Sequence, residues 1–218
     1  MTIRSAFLIV ASMLCSTSFA MADTVNPERP VQVAKLYDQE PFITLTKEPV
    51  LNINESYRYY DVKGTSTDEV RKQMRQNGTK WNDGHVYAAL TTWNIKYNYG
   101  ITKRNGAYVV NSVETNIDIK FDLPRWKPGS TPPAHMASQW DNYSDRLVEH
   151  ENGHRDLAVN AAAEVNKVLS TLGSFSSKRE LQQEADRRVK AALDQHKKTQ
   201  VAYDDHTSHG VSQGAVLN

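Results

Sequence analysis

The sequence contains a single cysteine, Cys15, in 218 residues. One thiol cannot form a disulfide within the chain, so the fold must be stabilised by its core or by a metal. The lack of cysteine also excludes zinc sites built from several thiolates. Any bound metal must therefore be held by histidine, aspartate, glutamate or water.

The sequence also lacks an excess of charge of either sign. It has 26 Lys and Arg residues against 25 Asp and Glu residues, a formal net charge of +1. No basic stripe stands out, so we predict no nucleic-acid partner. The hydrophobic fraction of 39% and the charged fraction of 23% are typical of a soluble globular protein and not of a disordered one.

Long hydrophobic runs are missing as well. The apolar run at residues 6–14 is too short to span a bilayer. It follows Arg4 and leads into small residues, a pattern that predicts a signal peptide over residues 1–22 with cleavage before Asp23. Cleavage would remove Cys15. The signal peptide predicts a periplasmic or secreted protein without a stable membrane anchor. A retained anchor is the alternative.

The first half of the mature chain has the alternation of β-strands. Apolar and polar residues alternate over residues 93–99 and again over residues 113–121, with a turn signal at Arg104-Asn105-Gly106 between them. These two runs predict an antiparallel hairpin with one face in the core. We expect Trp93 to lie in that core.

The second half has helical spacing. Apolar residues recur every three to four positions and predict a helix from about Pro133 to Leu172. Because such a helix is long for a globular protein, we expect a break within it. A capping box at Ser177 predicts another helix toward Gln200, with its apolar stripe inward. The tail that follows, residues 202–218, has no periodicity and predicts a loop.

These elements predict the α+β class, with a small, mainly antiparallel sheet and a helical half. We expect one domain over residues 23–218. Its sheet-rich part spans residues 41–126 and its helical part spans residues 132–218.

The motif His150-Glu151-Asn152-Gly153-His154 lies inside the first long helical pattern. Residues four apart share a helix face, so the two imidazoles can bind one zinc ion. Glu151 is poorly placed as a ligand, but it can take a proton from a water that zinc acidifies to a pKa near about 7. The motif therefore predicts a hydrolytic zinc site with Glu151 as general base.

The alternative is an ordinary polar helix, in which Glu151 pairs with Arg155 one turn later. Gly153 argues against it, because glycine inside a helix costs about 1 kcal/mol and needs a reason such as close approach of another backbone. The predicted export of the chain also favours a hydrolase.

A catalytic zinc usually has three protein ligands, and the third is open from the residues alone. The tail "YDDHTSHG", residues 203–210, concentrates Asp204, Asp205 and His209 and could fold over the metal. Glu184 on the last helix is a rival, since some zinc proteases use a helical glutamate. A plain polar tail without any role is the third possibility.

Three segments together resemble a bacterial family described as predicted secreted zinc-dependent proteases. They are His-Glu-x-x-His at residues 150–154, Leu-Pro-x-Trp at residues 123–126, and Tyr-Asp-x-x-Thr-x-His-Gly at residues 203–210. The resemblance extends roughly from Val50 to Gly210. It implies a zincin-like metallopeptidase with His209 as the third zinc ligand, and it implies no particular substrate.

We therefore predict a secreted zinc metallopeptidase that acts on a peptide or protein. His150, His154 and His209 bind Zn²⁺, Glu151 is the general base and Tyr203 stabilises the oxyanion. The strand at residues 113–121 could pair with substrate, or it could be a plain sheet edge protected by charge. The alternative function is a non-catalytic zinc-binding or interaction protein of the cell envelope. The sequence does not predict an oligomeric state.

Overall fold

The computed structural model describes residues 4–9, 45–81 and 84–218. It confirms the α+β class. The elements, in chain order, are β1 (Arg4–Ile9), β2 (Val50–Val62), α1 (Thr67–Asn77), β3 (Thr79–Lys80), β4 (Val86–Tyr87), β5 (Leu90–Arg104), β6 (Ala107–Trp126), α2 (Ala134–Ser170), β7 (Ser174–Phe175) and α3 (Lys178–Thr207). A 3-10 turn at Val211–Gln213 follows α3.

The main sheet has the strand order β1-β5-β6-β2, and β7 pairs with one end of β6. Strands β5 and β6 form the predicted antiparallel hairpin. Its turn residues, Asn105 and Gly106, have φ values of 50° and 84°, as a two-residue hairpin turn requires. Strand β2 pairs with β6 in parallel, so the sheet is mixed and not simply antiparallel.

Strand β6 lies in the middle of the sheet, between β5 and β2. Residues 113–121 pair with β5 on one side and with β2 on the other. The segment is therefore neither an edge that pairs with substrate nor a plain sheet edge, and both predictions are wrong. Its backbone groups are already hydrogen-bonded to β5 and β2. Among the described strands, β2 forms one border of the sheet.

The core lies between the sheet and α2, which packs on β6 and β5 of the sheet and on α3. The inward face of β6 carries the residues that the alternation predicts, and Trp93 of β5 is 3% exposed. Helix α1 adds Val70 and Met74 to the same core. The β5–β6 hairpin thus forms the platform on which α2 is held.

Helix α2 is unbroken over its 37 residues, so the predicted break is wrong. At about 1.5 Å per residue it is about 55 Å long. Packing supports this length, because buried residues recur along it from Met136 to Leu169. Tertiary contact with the sheet and α3 stabilises the helix well beyond the usual length.

Helix α3 begins at the predicted cap, where the Ser177 side chain accepts a hydrogen bond from the Glu180 backbone N–H. It continues to Thr207, seven residues past Gln200. The prediction of a loop for this part of the tail is therefore wrong. Tyr203 and Asp204 lie on the last turns of a helix that packs against α2.

The predicted signal peptide falls largely outside the described residues. Only residues 4–9 of it are described, as the strand β1 that pairs antiparallel with β5. Cleavage before Asp23 is a prediction that concerns residues outside the described ranges. Within those ranges, no helix combines the length and the hydropathy that a membrane span requires.

Candidate metal centre

The predicted motif lies in the middle of α2, where α3 covers one side of it. His150, Glu151 and His154 are each 0% exposed. Burial on this scale is incompatible with an ordinary polar helix surface. Arg155, the expected partner of Glu151 in that interpretation, instead pairs with Glu55 at 2.6 Å and with Asp156 at 2.7 Å.

The two imidazoles converge on a carboxylate from α3. The Nε2 atoms of His150 and His154 lie 3.2 Å and 3.0 Å from Oδ1 of Asp204, which is 4% exposed. All three potential ligand atoms lie within 4.8 Å of one another. The antiparallel packing of α2 and α3 creates this group from residues 50 positions apart in the chain.

Two glutamine side chains fix the orientation of the imidazoles. Nδ1 of His150 lies 2.9 Å from Oε1 of Gln213, and Nδ1 of His154 lies 2.7 Å from Oε1 of Gln200. An amide oxygen only accepts, so each Nδ1 carries the proton and donates it. Each neutral ring then directs the lone pair of Nε2 toward Asp204.

This arrangement suits a cation. When both rings are neutral, two Nε2 lone pairs and a carboxylate face one another, and His150 Nε2 has no hydrogen bond although it is buried. Tetrahedral zinc with ligands at about 2.0–2.1 Å separates neighbouring ligand atoms by about 3.3 Å. The observed 3.0 Å and 3.2 Å are close to that spacing. His150, His154 and Asp204 therefore form a possible metal-binding site.

The electrostatics of the group depend on the same contacts. Burial lowers the pKa of His154, but the hydrogen bond to Asp204 and the charge of Glu151 outweigh it and raise that pKa above its ordinary value. Burial would raise the pKa of Asp204, yet the imidazoles of His150 and His154 hold it below its ordinary value. The carboxylate is thus kept ionised and available as a ligand.

The candidates for the third ligand separate clearly in space. Asp204 is a member of the group, whereas Asp205 next to it is exposed. His209 stays outside the group of three, with its Nδ1 3.4 Å from Oδ1 of Asp204. Glu184 lies 20 residues earlier on α3, about 30 Å away along the helix, and pairs with Arg187 and Arg188. A site of the helical-glutamate type through Glu184 is therefore excluded.

Glu151 faces the sheet. Its Oε2 accepts a hydrogen bond of 2.6 Å from the Thr91 hydroxyl at the start of β5. The same hydroxyl lies 3.3 Å from the Glu151 backbone carbonyl. A buried carboxylate is thus held beside the two imidazoles by a strand that the hairpin fixes in place.

Tyr203 explains Gly153. The Tyr203 ring stacks on His150 with centroids 5.1 Å apart and an interplanar angle of 11°. A Cβ at Gly153 would lie 2.1 Å from the Tyr203 hydroxyl oxygen, so only glycine fits. The close approach is thus by a side chain and not by a backbone. The hydroxyl donates to the His150 carbonyl at 3.3 Å, which makes Tyr203 a support for that ligand.

Three residues of the site were missed in the sequence: Thr91, Gln200 and Gln213. A signal existed for Gln200, because Gln200, Asp204 and Thr207 continue the helical spacing of the apolar stripe that ends near Leu193. Nothing in the local pattern marks Thr91 or Gln213. Their roles arise only when β5 and the C-terminal turn meet α2.

Comparison with known proteins identifies a family. Residues 57–210 match the model of a family described as "Bacterial protein of unknown function (DUF922)". The match covers more than half of the chain, so the protein belongs to this family. The description assigns no activity, and it does not conflict with the resemblance to zinc-dependent proteases. A search of curated proteins found no match. A search of solved structures also found none.

Proposed function

We propose that this member of the DUF922 family is a secreted zinc metallopeptidase with Glu151 as general base. The observation that supports it best is the convergence of three buried ligand atoms, from His150, His154 and Asp204, beside that carboxylate. Two imidazoles and one carboxylate form a ligand set that zinc commonly takes in hydrolases.

The residues of the chain have distinct parts in such a reaction. When bound, zinc would polarise a peptide carbonyl and acidify a water molecule. Gln200 and Gln213 hold the imidazoles in the tautomer that ligation needs. Glu151, oriented by the Thr91 hydroxyl, accepts the proton of the attacking water and passes it to the leaving amine.

The substrate class and the location belong to the same proposal. Peptide or protein substrates follow from the motif, and a periplasmic or secreted location follows from the predicted signal peptide over residues 1–22.

A second candidate is a non-catalytic zinc-binding protein of the cell envelope. It is favoured by the burial of the ligands, since His150 and His154 are 0% exposed and Asp204 is 4% exposed. The half-buried His209 lies against Asp204 and could complete a closed site. Structural zinc sites are closed, whereas catalytic sites keep one position open.

Replacing Glu151 with glutamine distinguishes the two functions. In the peptidase, Glu151→Gln keeps zinc and slows hydrolysis of an unfolded protein by about 100-fold or more. Chelation abolishes the wild-type activity and added zinc restores it. Glu149→Gln is the matched control, because Glu149 is exposed on the same helix. Zinc-loaded wild type that hydrolyses nothing would favour the non-catalytic protein, and loss of zinc from Glu151→Gln would make Glu151 a ligand.

A further inference from the structure

We infer that residues 210–217 act as a C-terminal clasp, which positions His150 for metal binding through Gln213. Zinc binding and docking of the clasp then stabilise each other. The inference rests on the metal site of the proposed function and is independent of any peptidase activity. The clasp itself contributes none of the three converging ligands, so its effect on the metal is indirect.

The first contact is the side chain of Gln213. Its Oε1 lies 2.9 Å from Nδ1 of His150, and its Nε2 donates to the Tyr203 hydroxyl at 3.1 Å. Tyr203 in turn stacks on the His150 ring. One amide therefore fixes both the tautomer of His150 and the aromatic ring that supports it.

The second contact is the backbone of Gly210. Its φ of +83° is in the left-handed region, and a Cβ there would lie 3.1 Å from Cγ of His150. The clasp thus begins in direct contact with the imidazole. The Ala215 N–H donates to the Gly210 carbonyl at 3.0 Å and closes the turn that carries Gln213.

The far end of the clasp is anchored in the core. Ala215 is 3% exposed and Leu217 is 1% exposed. The guanidinium of Arg71 on α1 donates to the Leu217 carbonyl. Gln213 is therefore held between two fixed points, the end of α3 and the core beneath α1.

The two imidazoles differ in what supports them. The acceptor for His154 is Gln200, which lies within α3 and also donates to the His154 carbonyl at 3.1 Å. The nearer partner of His150 Nδ1, Gln213 at 2.9 Å, lies on the terminal segment beyond α3, while the Thr207 hydroxyl at the end of α3 lies 3.5 Å from the same atom. Because thermodynamic coupling is reciprocal, a segment that orients a ligand is itself stabilised when the metal binds.

Zinc affinities of Gln213 variants test the inference. Gln213→Ala should weaken zinc binding by about 10–100-fold, the usual effect of losing the partner of a ligating histidine. Gln213→Glu should bind at wild-type affinity or tighter, because a carboxylate still accepts from Nδ1. The Tyr203 hydroxyl, whose oxygen is 3.4 Å from Gln213 Oε1, can turn its proton toward that carboxylate. Gln195→Ala, an exposed glutamine on α3, is the matched control. Affinities are measured by competition with a chelator of known zinc affinity.

A merely structural role gives a different pattern. Gln213→Ala would then unfold at a lower temperature with unchanged zinc affinity. Gln213→Glu would show the same lowered unfolding temperature and no gain in zinc affinity. That result would overturn the inference. A wild-type protein that binds no zinc would overturn it together with the metal site, whereas zinc binding without hydrolysis contradicts only the peptidase.

Hydrogen exchange measures the reciprocal effect. The amide of Ala215, bonded to the Gly210 carbonyl, should exchange more slowly in zinc-loaded than in zinc-free protein. The amide of Leu181 near the start of α3 serves as the internal reference, since it lies far from the site along that helix. Equal slowing at both amides, or none at Ala215, would contradict a coupling through the clasp.

Discussion

Asp204 and His209 lie 3.4 Å apart, and separate substitutions distinguish a metal ligand from its neighbour. Asp204→Ala should weaken zinc binding by well over 100-fold, because it removes one of three converging ligand atoms. His209→Ala should weaken zinc binding by no more than about 10–100-fold, the effect typical of a residue that supports a ligand. Zinc titration checks both, with the exposed Asp205→Ala as control. The reverse ranking would make His209 the ligand that the family resemblance implies.

Gly153 gives a second prediction at the scale of one residue. Glycine to alanine within a helix normally stabilises it by about 1 kcal/mol. Here the new methyl group meets Tyr203 at 2.1 Å, so Gly153→Ala should instead destabilise the protein by about 1–3 kcal/mol. Urea unfolding measures the change. In a Tyr203→Ala background the penalty should vanish, and an equal penalty there would show that the clash lies elsewhere.

The contact between β5 and α2 can be tested as a link between two elements. Thr91→Val keeps the shape of the side chain and removes the donor to the buried Glu151 carboxylate. We expect a loss of about 1–3 kcal/mol in the free energy of unfolding, the usual cost of a buried group deprived of its partner. Thr92→Val on the opposite face of the strand is the control. Equal effects of the two substitutions would contradict the prediction.

The elements also show what their local patterns encode. The alternation at residues 113–121 predicted the buried face of β6 correctly, because alternation reports which side chains face the core. It does not report the neighbours of a strand, so the parallel pairing of β2 was missed. The end of α3 was missed because its inward stripe changes from apolar to polar at Gln200. Polar residues at helical spacing look like a loop in the sequence, and only the structure shows that Gln200, Asp204 and Thr207 face the buried group around His150 and His154.

The convergence of His150 and His154 was predicted, since two residues four apart on a helix share one face. Their roles as metal ligands, and that of Glu151 as general base, stay predictions. For the third position the sequence favoured His209 and left Asp204 open as an alternative, because Asp204 reaches His150 and His154 only through the packing of α3 on α2. The glutamine acceptors were missed for the same reason. Contacts between distant segments carry no signal in either segment alone.

For the whole molecule, the proposed zinc ion and protons would compete for the same imidazoles. Without metal, the raised pKa of His154 adds stability below the ordinary histidine pKa of about 6.5, and this stability is lost as the pH rises through the higher folded value. The lowered pKa of Asp204 adds stability above the ordinary carboxyl pKa of about 3.9, lost as the pH falls through the lower folded value. The proposed zinc ion would stabilise the protein at higher pH, because ligation needs neutral imidazole rings.

The stabilisation by zinc should therefore depend on pH. We expect the difference in Tm between zinc-loaded and chelator-treated protein to be largest near pH 8 and to disappear toward pH 5, below the histidine range of about 6.5. Thermal unfolding in a pH series measures it. The Asp204→Ala variant should show little difference at any pH. A constant difference in the wild type would mean that carboxylates alone hold the metal.

The border strand β2 has a consequence for handling the protein in solution. It continues for 13 residues without a proline or a register shift, and Ile53, Tyr57 and Tyr59 along it are 41–53% exposed. Its charged side chains are paired with neighbouring elements, Glu55 with Arg155 of α2 and Arg58 with Asp122 of β6. Natural sheet borders usually carry lysine, proline or a bulge that prevents one molecule from pairing with another. Because β2 is a border among the described strands, we expect concentrated stocks to aggregate through it, and Ser56→Lys should reduce that aggregation.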